Sequence, residues 1–130
     1  RYQARLSGPL LDRIDLHIEV PSIAAHELLD APPGEGTASI RQRVTAARER
    51  ADARQGKPNQ ALQGGEIDTR AALDDAAPQL LQRGATQLGW SARGTHRALK
   101  VARTIADLAG SAEVQAGHVA EAVQYRRALR

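Results

Sequence analysis

Between Ser91 and Gly110 the chain reads SARGTHRALKVARTIADLAG, and no other stretch limits its fold so strongly. Ala98, Leu99, Ala102, Ile105, Ala106 and Ala109 recur at helical spacing and line one stripe of an α-helix. Ser91 is a good N-cap, since its hydroxyl can accept from a free amide of the first turn, and Gly110 permits the left-handed turn that ends a helix. The stripe is built of small side chains, so a neighbouring helix can come close. Most of the stability of such a helix comes from packing its apolar face, which predicts a helical bundle.

The rest of the chain supplies the neighbours. From Thr37 or Ser39 to about Gly56 and Pro58, Ile40, Val44, Ala47 and Ala51 repeat at helical spacing, with Arg41, Arg43, Arg48, Arg50 and Arg54 on the other faces. Pro78 suits a first helical turn, and Leu81, Ala85 and Leu88 follow on one face until Gly89. A last helix over about 115–129 buries Val119, Ala122 and Val123 and carries Arg126, Arg127 and Arg130 at the end where cations complement the dipole. Gly64 and Gly65 mark a break, and the stretch from Ile67 to Ala76 is weakly determined. The fold class is therefore mainly α, a compact bundle of about four helices.

One segment does not belong to a bundle. SGPLLDRIDLHIEV, residues 7–20, joins a Pro-led apolar turn to the alternation Asp15-Leu16-His17-Ile18-Glu19-Val20, which reads as a β-strand with Leu16, Ile18 and Val20 on one face. A lone strand leaves its backbone groups unsatisfied, and nothing else in the sequence offers a partner layer. With no methionine in the chain, the expectation is a piece of a longer protein whose missing part holds the sheet. Without that part, the segment is expected to fold back over the helices or pair with a second copy. Pro21 ends the strand, and 22–36, with APPGEG at its end, reads as a surface linker.

Composition narrows the chemistry. No apolar run approaches the ~20 residues of a membrane span, so a soluble chain without a membrane partner is expected. The absence of cysteine excludes disulfides and thiolate chemistry and accords with a cytoplasmic location. His17, His26, His96 and His118 have no ligand spacing, so no metal site is expected. No G-x-x-x-x-G-K-[ST] occurs, so the chain has no phosphate-cradling loop of its own. Tyr2, Trp90 and Tyr125 are the only aromatics, which makes base stacking an unpromising way to hold nucleic acid.

What remains is a distribution of cations. The net charge of +3 is small, but residues 37–58 hold six Lys or Arg against two acids. Arg41, Arg48 and Arg54 are candidates for contacts to DNA phosphates or for a solvated helix face. Arg93, Arg97 and Lys100 fall within about 60° of one another on a helix of 100° per residue. Arg93 lies in the first turn, where free amides favour an anion. Arg13, fixed between a helical turn and the strand beside Asp12 and Asp15, is either a structural ion pair or a cation directed at a neighbour's phosphate.

Three segments carry a resemblance: LSGPLLDRIDLHIEVP at 6–21, IRQRVTAARERADARQGKPNQAL at 40–62, and LGWSARGTHRALKVARTIADLAGS with HVAEAVQYR up to 126. Together they resemble the C-terminal part of the magnesium-chelatase-like AAA+ ATPases of the ComM type. The resemblance implies an AAA+ lid domain over 37–130, a linker over 22–36, and over 1–21 a remnant of the ATPase core that includes its last strand. It implies that Arg13, in PLLDRID, is an arginine finger acting in trans. It implies that Arg93, in SARG, is a sensor 2 residue acting in cis, with Arg97 as a further contact. ATP and Mg2+ are the implied cofactors of the full-length protein, and none is expected on this chain by itself. The implied assembly is a homo-oligomeric ring of six, and the implied activity is an ATP-driven DNA helicase or branch-migration motor in natural transformation. A stand-alone DNA-binding helical module is the alternative from another class. The lid of a chelatase or protein-remodelling ATPase is a third.

Overall fold

The computed structural model describes residues 8–127. In chain order the elements are α1 (Gly8–Asp12), α2 (Ala25–Asp30), α3 (Thr37–Gln55), a 3-10 turn (Asn59–Ala61), α4 (Gly64–Arg70), α5 (Ala77–Leu88), α6 (Ala92–Ala109) and α7 (Ala116–Arg127). The four long helices are those the sequence predicts, and the bundle is theirs. α6 runs through its centre, against α7 on one side and α3 on another, while α5 packs on α7. None of these helices is long and apolar enough to cross a membrane, among the described residues.

Local chemistry sets the ends of the elements. The Ser91 hydroxyl accepts from the Gly94 amide at 3.1 Å. Gly110, at φ 74°, turns the chain so that the Ser111 amide closes on the Ala106 carbonyl at 2.9 Å. The Asp74 carboxylate accepts from the amides of Ala76 and Ala77 and so starts α5. Sequence reasoning missed two elements: α2, which lies inside the stretch read as a linker, and α4, where Gln63 and Glu66 form a capping box across the glycine pair read as a break.

The core is built from small residues. More than half of its buried apolar side chains are alanine, including Ala98, Ala102 and Ala106 of α6. The spacing they permit is tight: a methyl group placed on Gly84 of α5 would lie 3.1 Å from the Val123 side chain of α7. The largest wholly buried side chains are Arg103, Val114, Val119 and Asp107, so charge sits where a larger hydrophobe would be expected.

Two expectations are corrected. α3 presents only Ala47 and Ala51 to the bundle, whereas Ile40 and Val44 are 42% and 49% exposed. Val44 lines a cavity together with Thr104 and Leu108 of α6, so this part of the apolar face is only half covered. The segment over Asp15–Val20 forms no strand, and the only β-type pairing among the described residues is an isolated parallel bridge between Leu73 and Val114. The segment instead lies back on the bundle, with the His17 amide bonded to the Tyr125 carbonyl at 2.9 Å. The face that docks is also the opposite of the apolar one. His17 is buried, while Leu16, Ile18 and Val20 are 47%, 67% and 82% exposed. With no second strand to receive Leu16 and Ile18, the bundle takes the side chain between them.

Candidate functional site

The cations of the chain separate into two groups once their partners are known. In the first group, protein acceptors take up the charge. Asp107 gathers most of it: Arg54 donates to both carboxylate oxygens at 2.8 and 3.0 Å, Asn59 donates at 2.9 Å, and Arg103 lies 3.1 Å away on the same helix. Arg103 also donates to the carbonyls of Ala71, Ser111 and Ala112, and Arg50 donates to the Asp107 carbonyl. This clasp joins the end of α3, the 3-10 turn, α6 and the loop before α7.

The electrostatics of the clasp follow from its burial. Burial acts to raise the Asp107 pKa, but hydrogen bonds from Arg54 and Asn59 and the charges of Arg103 and Arg54 outweigh it and hold the carboxyl below its ordinary value. Burial, only partly offset by the charge of Asp107, lowers the Arg103 pKa. Sequence reasoning gave neither residue a role. The available signal was an Arg and an Asp at i and i+4, both on the side of α6 that carries Leu99 and Ala106.

A second engaged set fastens the N-terminal segment. Arg97 pairs with Asp15 at 2.9 Å, and Arg126 of α7 donates to the Ile14 carbonyl at 3.1 Å while lying 5.6 Å from the centre of the Trp90 ring. The buried His17 ring sits beside them, its pKa lowered by burial and then by the Arg126 charge. Elsewhere Lys100 donates to the Gln60 carbonyl at 3.0 Å, Lys57 pairs with Glu66, and Arg43 grips both oxygens of Glu35.

The second group is free. Arg13, Arg41, Arg48 and Arg93 are exposed, and their guanidinium groups have no hydrogen-bond or ion-pair partner among the described residues. Of the candidates chosen from sequence, Arg54, Arg97 and Lys100 are thus tied down, and these four are not. Arg93 stands in the first turn of α6, one turn before Arg97. Arg13 follows α1, where its amide closes a turn on the Leu10 carbonyl at 3.1 Å, two residues before the Asp15 that Arg97 holds. Arg41 and Arg48 lie seven residues apart on one side of α3.

Residues 34–126, which span α3 to α7, match the family described as magnesium chelatase, subunit ChlI C-terminal. The chain belongs to that family. Residues 1–28 match magnesium chelatase, subunit ChlI, so the Arg13 segment and most of α2 fall under a different model from the bundle. Over its whole length the chain is 44% identical to competence protein ComM of Haemophilus influenzae, of which it covers 26%. Over 97% of its length it is 44% identical to the uncharacterised protein YifB of Escherichia coli, of which it covers 25%. An uncharacterised protein of Mycobacterium tuberculosis is 39% identical over 98% of the chain, which covers 26% of it. The chain spans about a quarter of the length of these relatives. The two family matches leave residues 29–33 between them, at the end of α2 and in the exposed stretch that follows it.

Proposed function

We propose that the bundle over 37–130 is the lid of an AAA+ ATPase, that 1–21 belongs to its core, and that 22–36 links them. Arg93 contacts the γ-phosphate of ATP held by the same subunit, and Arg13 reaches ATP held by the next subunit of a homo-oligomeric ring of six. The observation that carries this reading is the division of the cations. Arg13 and Arg93 have no acceptor among the described residues, although other guanidinium groups on α3, α6 and α7 are taken up. A guanidinium suits phosphate oxygens, since its planar fork donates to two of them at once. Family membership supports the same assignment.

Bound ATP and Mg2+ supply the transferable phosphoryl group and neutralise its charge. Arg13 and Arg93 fit that group as charge-stabilising contacts. The described residues hold no cluster of His, Asp and Glu able to bind a metal ion, and the sequence holds no P-loop, so the nucleotide cradle is assigned to residues outside this chain. In the full-length protein, Arg93→Ala should lower ATP turnover by about tenfold, the loss of one charge-assisted contact in the transition state. Unchanged turnover with unchanged KM would remove Arg93 from the site.

The work done by the motor is proposed to be DNA unwinding or branch migration in natural transformation, as the resemblance to ATPases of the ComM type implies; one relative is named a competence protein. Arg41 and Arg48 are the free cations of α3 available to DNA phosphates. Two phosphate contacts are few, so DNA binding by this chain alone should be weak and should fall with a log–log salt slope of about −2. Titrating a labelled duplex at several salt concentrations measures the slope. Tight binding that survives high salt would favour a stand-alone DNA-binding module over a lid.

A further inference from the structure

Between α3, the 3-10 turn and α6 lies a cavity of about 280 Å3, with Val44, Ala47, Pro58 and Leu108 among its apolar lining. Asn59 and Asp107 also line it, but their polar groups are taken up by Arg54, Thr104 and one another. Arg48 is a lining residue whose charge is unmet among the described residues, and Arg41 stands two turns earlier on the same side of α3. Sites for drug-sized ligands run to about 300–1,000 Å3, so this one suits a single large apolar side chain. The occupant it fits is apolar and bordered by acid.

α2 has that composition. Its six residues, AHELLD, are all exposed, and isolated helices shorter than ~12–15 residues are marginal in water, so α2 needs a cover. Leu28 and Leu29 are 68% and 84% exposed. At about 100° per residue, Glu27 falls on one side of the leucine pair and Asp30 on the other. Neither carboxylate has a partner among the described residues. The connection to α3 keeps α2 off its own groove. Ala31 is extended, Pro32 and Pro33 favour extended backbone, and Glu35 is gripped by Arg43, on the edge of the Ile40–Val44 stripe opposite Arg41 and Arg48.

We propose that the cavity between α3 and α6 receives Leu29 from α2 of a second copy of the chain, with Glu27 and Asp30 of that copy set against Arg41 and Arg48. The inference rests on the homo-oligomeric assembly proposed above and needs neither nucleotide role. A short amphipathic helix laid into an apolar groove is a recurrent mode of recognition, and the charges at the rim set its direction. Donor and acceptor are different surfaces, so the contact is heterologous, the kind that closes rings. Each copy gives its α2 to one neighbour and receives that of the other. One six-residue helix covers less than the roughly 1,000 Å2 of a self-standing interface, so the contact reinforces an assembly rather than founding it.

The test uses the full-length protein with any native cysteine replaced by serine; residues 1–130 contain none. Subunits carrying Leu29→Cys are mixed with subunits carrying Val44→Cys under conditions where subunits exchange, and a short thiol-reactive linker is added. A covalent pair joined between positions 29 and 44, mapped by peptide mass spectrometry, should form in the mixture and in neither variant alone. Glu27→Arg with Asp30→Arg in the first kind of subunit should lower the yield about tenfold, because like charges then meet. Arg41→Glu with Arg48→Glu in the second kind should restore it. All four positions are exposed and without partners among the described residues, so these changes should leave the helical circular dichroism unaltered. Rings that form by sedimentation but give no such link overturn the docking. A link within one subunit, in a variant carrying both thiols at concentrations too low for assembly, gives the groove to the copy's own α2 and also overturns it. A yield indifferent to the charge changes leaves Arg41 and Arg48 to DNA phosphates and overturns the assigned pairing. A wild-type protein that stays monomeric with ATP removes the ring reading itself, and the docking with it.

Discussion

Replacing Asp107 with alanine is expected to destabilise the domain by about 3–5 kcal/mol, because it leaves Arg103 and Arg54 facing one another without their common counter-charge. Arg103 is 1% exposed and cannot turn to water, so its desolvation goes uncompensated. Domains are stable by only about 5–15 kcal/mol, so the variant should be largely unfolded in mild denaturant where the wild type is intact. Urea titration followed by helical circular dichroism measures this. An apolar replacement of the pair, Arg103→Met with Asp107→Leu, should be less harmful than Asp107→Ala, since the wholly buried charge of Arg103 is then gone and only the partly exposed Arg54 loses its partner. A loss below about 1 kcal/mol for Asp107→Ala would mean the clasp is ornamental, comparable to an exposed ion pair.

The same clasp fixes the sign of the acid response. The Asp107 carboxyl is held below its ordinary value when folded, so its contribution is present above the unfolded value of 3.8 and is lost as pH falls through the folded one. His17 adds to it earlier. Its folded pKa lies below the ordinary 6.5, so the unfolded state takes up a proton first and stability declines as pH drops below that value. Both groups therefore weaken the fold toward acid.

α6 was legible to the residue, from Ala92 to Ala109, because cap, stripe and terminal glycine agree. α3 was legible in its bounds but not in its inner face. Periodicity tells which side of a helix is apolar, and Ile40 and Val44 show that it does not tell whether anything lies opposite. The Asp15–Val20 alternation failed for a related reason: a strand is made by its partner, and here the docking was decided by Arg97, Arg126 and Tyr125, far away in sequence. α4 was hidden because its cap is Gln63, whose capping depends on Glu66 reaching back. For the candidate site, residue type identified the arginines, but only the fold separated Arg13, Arg41, Arg48 and Arg93 from Arg54, Arg97 and Lys100. The Arg103–Asp107 pair was illegible because the same spacing on most helices marks a solvated pair.

The largest functional effect is expected at Arg13. In the full-length protein, Arg13→Ala should cut ATP turnover by about 10³ or more while nucleotide binding stays nearly intact, because a finger acts on charge that develops only in the transition state. The side chain is exposed and free of protein partners among the described residues, so its removal should not disturb the fold. The measurement that bears most directly on the action in trans proposed for Arg13 is subunit mixing. Arg13→Ala subunits, which keep their own nucleotide cradle, are combined with subunits whose P-loop lysine is replaced, which keep Arg13, under conditions where subunits exchange. Each kind then supplies what the other lacks, and mixed rings should recover part of the wild-type turnover although either parent alone is inactive. Mixed rings as inactive as both parents would contradict a finger acting across the subunit boundary.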